Sequence, residues 1–233
     1  RHVGDADLLI DQRDLPRLRM ILVGLNWQRV PFCASFDTTS ELYTKNSENF
    51  MLDIHTNPVE DRFASKIRTE EVLDFSERNA LAPMPYKLPF PSREDMLLLL
   101  CVHGMKHLWC RLLWVFDIVC ALEQKDDFNW DLVLKKSSEM ACLRQVLCGM
   151  KIAELLSGRV VPGCVSKAIS KDARVQEVAK ELVSLIFERR AGVVASLHNI
   201  LLHMKLQDSH LWALKVPIYR ALSRIIRCLM TCQ

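Results

Sequence analysis

Apolar positions along this chain follow one period up to about residue 56 and another beyond Pro58. In the first part they alternate in short runs, the period of a strand. Asn49 to His55 reads N-F-M-L-D-I-H, so Phe50, Leu52 and Ile54 share one face of a strand while Met51, Asp53 and His55 share the other. Arg1 to Ile10 reads as a turn at Gly4 leading into a short apolar strand. Between these strands, Leu18, Ile21, Leu22 and Leu25 recur at helical spacing, with Asp14 as N-cap, Pro16 in the first turn and Asn26 as the left-handed residue that ends the helix. The order is strand, helix, strand, strand, which predicts a small mixed sheet with a helix against it.

Beyond Pro58 the pattern is helical. A polar helix is expected over Ser65 to Asn79. An extended linker is expected next, over Leu81 to Pro91, where four prolines forbid regular structure. Ser92 and Asp95 form a capping box for a long helix from Arg93 to Leu122. Further helices are expected over Asp131 to Ser157, Lys167 to Arg190, Gly192 to His210 and Leu211 to Met230, with Gly158 and Pro162 punctuating the series. The fold class expected is α+β, with a sheet-bearing core and linker over 1–91 and a helical domain over 92–233.

Two places carry candidate chemistry. Asp5 and Asp7, two apart on a strand, point to the same side, and paired carboxylates with substrate phosphates are a common way to hold Mg²⁺. A solvated pair at a strand start is the plain alternative, but Asp53 adds a third carboxylate mid-strand among apolar neighbours, where a charge needs a counter-charge or a metal. The second place is the long helix. Leu98, Val102, Met105, Trp109, Leu112, Phe116 and Val119 form an apolar stripe, while His103, Lys106, His107, Trp114 and Asp117 fall on another face with Arg111 at its edge. Such a seam is either hydrogen-bonded structure or the wall of a site. His103 and His107 enclose Gly-Met-Lys instead of the Glu-x-x of zinc proteases, which speaks against zinc hydrolysis.

The series G-D-x-D-L-L-h, a D-L-P helix and a strand ending h-D-h-H resembles the DNA polymerase β-like nucleotidyltransferase superfamily, and more closely the bacterial uncharacterised nucleotidyltransferase family proteins. His103, Lys106, His107, Trp109, Arg111, Leu112, Trp114, Asp117 and Ile118 match that group's helix motif, while Asn129 to Leu132 and Leu214 to Arg220 fit its helical tail more loosely. The resemblance implies a nucleotidyltransferase core and a helical domain that closes over the nucleotide. It implies transfer of a nucleoside monophosphate from a nucleoside triphosphate to an acceptor hydroxyl by two-metal catalysis. Asp5, Asp7 and Asp53 would hold Mg²⁺ or Mn²⁺, and Gly4, His55, His103, Lys106, His107 and Arg111 would bind the nucleotide. The acceptor is open. The group's Lys-Gly or Gly-Ser turn upstream of the first strand has only Arg1 to Gly4 in its place, so the chain is expected to be an N-terminally truncated piece or a degenerate member. A catalytically silent protein that keeps the fold for an interaction is the alternative.

Composition narrows the setting. A net charge of +3 does not indicate nucleic acid as a partner, and no apolar run reaches the length of a membrane span. Nine cysteines, an odd number without a C-x-x-C, fit buried thiols in a reducing cytoplasm better than a disulfide framework or structural zinc.

Overall fold

A computed structural model of the chain describes residues 5–30, 40–45, 48–58, 67, 69, 72, 90–124, 128–187 and 193–208. They fall into two compact units, divided between residues 90 and 91. Expectations for Ser65 to Asn79 and for the Leu81 to Pro91 linker lie almost wholly outside the described residues, and those for Leu211 to Met230 lie wholly outside them.

The first unit holds strands β1 (Asp5–Leu9), β2 (Gln28–Arg29), β3 (Ser40–Lys45) and β4 (Glu48–His55), with helix α1 (Leu15–Gly24) after a short 3₁₀ turn at Gln12–Asp14. The sheet order is β1-β4-β3-β2. β1 runs parallel to β4, whereas β3 pairs antiparallel with both β4 and β2. The alternation of β4 sorts its faces as expected. Ile54 is fully buried with Tyr43 and Leu22, and Leu15, Leu18, Trp27 and Leu52 pack around them. Asp53 and His55 therefore face away from that core.

Helix α1 keeps Asp14 at its N-cap position as expected. The Asp14 side chain makes no capping bond; Asp11 accepts from the Arg13 N–H one turn earlier. Ile21 and Leu25 are exposed, because the core-facing line runs through Leu15, Leu18 and Leu22. The helix does end on Asn26 at φ 62°, with Asn26 N–H donating to the Val23 carbonyl and Trp27 N–H to that of Leu22. This is a Schellman cap, completed by the contact of Trp27 with the core around Leu22.

Glu41, on the core side of β3, is buried and charged. Arg19 of α1 grips its carboxylate, Arg29 approaches at 3.0 Å and the Tyr43 hydroxyl donates at 2.9 Å. The Arg19 bond holds the Glu41 carboxyl below its ordinary 4.5, outweighing burial, which raises it; Tyr43 and Arg29 act with Arg19. A carboxyl whose pKa falls on folding stabilises the native state above its unfolded value and loses that contribution as pH drops through the folded one. Urea midpoints should therefore fall as the pH drops below the ordinary glutamate value of 4.5, and Glu41→Gln should flatten that fall. An equal acid response in both proteins would refute the assignment.

The second unit contains helices α2 (Arg93–Lys106), α3 (Leu112–Glu123), α4 (Trp130–Glu139), α5 (Leu143–Ser157), α6 (Gly163–Ser170), α7 (Ala173–Phe187) and α8 (Val193–Lys205). Ser92 caps α2 by accepting from Asp95 N–H, and the buried Asp95 carboxylate in turn meets the Ser92 hydroxyl and the half-buried Lys136 at 2.7 Å. Gly158 ends α5 at φ 70°.

The single helix expected over Arg93 to Leu122 is two helices. Leu108 and Trp109 take left-handed conformations, φ 51° and 53°, and their N–H groups donate back to Met105 and Gly104 in a second Schellman cap. The break shifts the phase of the apolar face in α3. Leu112 and Phe116, expected in the stripe, are exposed, and Val115, Ile118 and Leu122 are buried in their stead. The helix expected over Asp131 to Ser157 breaks similarly, at Ala141 with φ 55°. The one expected over Lys167 to Arg190 breaks before Asp172, whose carboxylate accepts from Arg174 N–H at 3.1 Å.

Candidate functional site

The parallel register of β1 on β4 sets Asp7 directly opposite Asp53, and Asp5 opposite Met51. Residues two apart on β4 share a face, so His55 stands beside Asp53. Its Nε2 lies 3.1 Å from Asp7 Oδ1 and 3.4 Å from Asp53 Oδ2. Burial of the ring pulls its pKa down, but the bonds to Asp53 and Asp7 outweigh that and raise it to about 9. With no cation bound, an imidazolium thus sits against both carboxylates at neutral pH, and a cation bound there would take the place of its Nε2 proton.

The group fits a divalent cation on two observations. One ligand atom each from Asp7, Asp53 and His55 lies within 4.8 Å of the others. Asp53 Oδ1 is buried and, among the described residues, meets no hydrogen-bond donor. A buried carboxylate oxygen without a donor is costly unless a cation takes that role. The carboxylates differ in access, Asp7 being well exposed and Asp53 mostly buried. The Asp5 side chain and Gly4 lie outside the described residues.

In the helical unit, the turn after α2 gathers the other expected residues. The rings of His103 and His107 lie 4.8 Å apart, His107 stacks on Trp114 at 4.9 Å, and His103 meets the Trp114 edge at 5.2 Å. The Arg111 guanidinium lies 5.6 Å from the Trp114 ring centre, a cation–π distance. His103, His107 and Arg111 are exposed and Lys106, at the end of α2, is half-buried. The residues read as one helix face thus cluster across a turn instead. Trp114, placed in that seam by the sequence but not among the expected nucleotide-binding residues, is the hub.

A small mixed sheet followed by a helical region is the architecture of a nucleotidyltransferase core with a helical extension. A family model described as an uncharacterised nucleotidyltransferase matches residues 1–158, and the chain belongs to that family. The matched span takes in both the carboxylate strands and the α2–α3 turn. No curated protein and no solved structure matches the chain. Family membership supports transferase activity on a nucleotide substrate. Among the described residues, no helix is long and apolar enough to cross a membrane.

Proposed function

We propose that the protein transfers a nucleoside monophosphate from a nucleoside triphosphate to an acceptor hydroxyl, with divalent ions held by Asp5, Asp7 and Asp53. The observation that carries this reading is the β1–β4 register, which aligns Asp7 with Asp53 beside His55. When bound, Mg²⁺ or Mn²⁺ neutralises triphosphate charge and favours in-line displacement at the α-phosphorus. Asp7, the exposed carboxylate, would hold the ion that the phosphates share. Asp53, more deeply set, accepts the proton of the acceptor hydroxyl as its oxygen bonds to the α-phosphorus. The bond to the bridging oxygen breaks on the opposite side, and pyrophosphate leaves with that electron pair.

Arg111 and Lys106 offset further triphosphate charge, the former through paired N–H donors and the latter as a point charge. His103, His107 and the backbone at Gly4 complete the nucleotide contacts. A cytoplasmic setting belongs to the same proposal, supported by free thiols such as buried Cys101, Cys142 and Cys148.

The test is pyrophosphate release from each nucleoside triphosphate, with and without Mg²⁺ or Mn²⁺, alongside transfer of label from the α-phosphate. Release should need the metal. Lys106→Ala should raise KM about tenfold, the loss of one charged contact, with an unchanged melting temperature. A protein that binds no triphosphate and is indifferent to Asp7→Asn would instead be a silent interaction module.

A further inference from the structure

We infer that His55 is itself a ligand of the divalent ion, completing a set of two oxygens and one nitrogen with Asp7 and Asp53, and that this site prefers Mn²⁺ to Mg²⁺. The inference rests on the nucleotidyltransferase reading and deepens it, because an all-carboxylate site would need nothing from an imidazole.

Position is the first argument. A histidine that only oriented one carboxylate would meet it from outside, with the ring nitrogen on a single oxygen. His55 Nε2 instead stands 3.1 Å and 3.4 Å from oxygens on two different strands. In an octahedral shell with bonds of about 2.1 Å, neighbouring donors are about 3 Å apart. The observed separations are of that size. Rigidity is the second argument. His55 closes β4, its carbonyl accepts from Ile10 N–H at 2.9 Å, and its side chain is only 21% exposed. The nitrogen is held where it is by strand pairing on both sides. The buried Asp53 Oδ1, which meets no donor among the described residues, leaves that carboxylate with capacity for a cation.

Donor chemistry then selects the ion. Mg²⁺ takes oxygen ligands almost exclusively, whereas an imidazole nitrogen moves preference toward first-row transition ions. With two carboxylates retained, Mn²⁺ satisfies both kinds of donor.

The experiment titrates the whole protein with Mn²⁺ alone, followed by electron paramagnetic resonance, and measures nitrogen coupling to the bound ion by the pulsed method. The wild type should show the coupling of a directly bonded imidazole, and Mg²⁺ should displace Mn²⁺ only above about tenfold excess. His55→Gln should abolish the coupling and weaken Mn²⁺ about tenfold or more, with a smaller change for Mg²⁺. Bound Mn²⁺ that is lost on Asp53→Asn but shows no nitrogen coupling overturns the inference and leaves the carboxylate site standing. Coupling that survives in His55→Gln overturns it too. No Mn²⁺ bound by the wild type overturns both readings, and the wild-type spectrum decides between them even if the variant folds poorly.

Discussion

Asp53→Asn should lower nucleotidyl transfer on the order of 10³-fold, read as pyrophosphate release at saturating triphosphate. Asparagine keeps the shape of the side chain and one oxygen, but removes a charge from the face proposed to hold the metal and the proposed acceptor for the hydroxyl proton. Binding of the triphosphate should suffer less than turnover, because in the proposed site Asp7 would still hold a cation shared with the phosphates and Arg111 and Lys106 would still offset their charge. The fold should be nearly untouched. Asp53 faces away from the Leu22, Tyr43 and Ile54 core, and His55 keeps Asp7 as its partner. A melting temperature within a few degrees of wild type is the control, since about 1 kcal/mol corresponds to about 2–4 °C at this size. Full activity in this variant would remove the central residue of the proposed mechanism.

The largest expected loss of stability comes from Trp109→Ala, about 3–5 kcal/mol in chemical denaturation. The indole is fully buried. A Cβ built on Gly104 would stand 2.6 Å from its ring, and one built on Gly149 would stand 2.7 Å from it, so both glycines exist here as space for the indole. Two side chains in left-handed backbone cost roughly 1–2 kcal/mol each. Filling that space contributes about as much or more, so packing offsets the strained turn at Leu108 and Trp109. Trp109→Phe should lose less than Trp109→Ala because it refills part of the volume. If alanine costs under about 1 kcal/mol, the turn is held by something other than the indole.

The range of the forces involved decides which features are legible in the sequence. Asp53 is conspicuous because a charge among Met51, Leu52 and Ile54 violates a local pattern, and alternation alone puts His55 on its side. Asn26 and Gly158 are legible as helix ends because those residue types adopt left-handed backbone cheaply. Leu108 and Ala141 adopt the same backbone with no such mark. The end at Leu108 is imposed by packing of the adjacent Trp109 against Gly149 on α5, which no local window around Leu108 contains. The apolar period continues through the break, so a reading by period runs on into Leu112 and Phe116. The pairing of Asp7 with Asp53 is likewise not local. It needs β1 to lie parallel to β4 and not beside β2 or β3, a choice made by the core that α1 closes.

The two glycines around Trp109 also constrain how this chain could have changed over time. A smaller residue at 109 opens a void unless 104 or 149 grows, and a larger residue at either glycine collides with the indole before it can shrink. Each single step crosses a destabilised intermediate, so the three positions are expected to covary among homologues. Lineages that lack the tryptophan should carry side chains at one or both glycine positions, together with a differently built turn between α2 and α3.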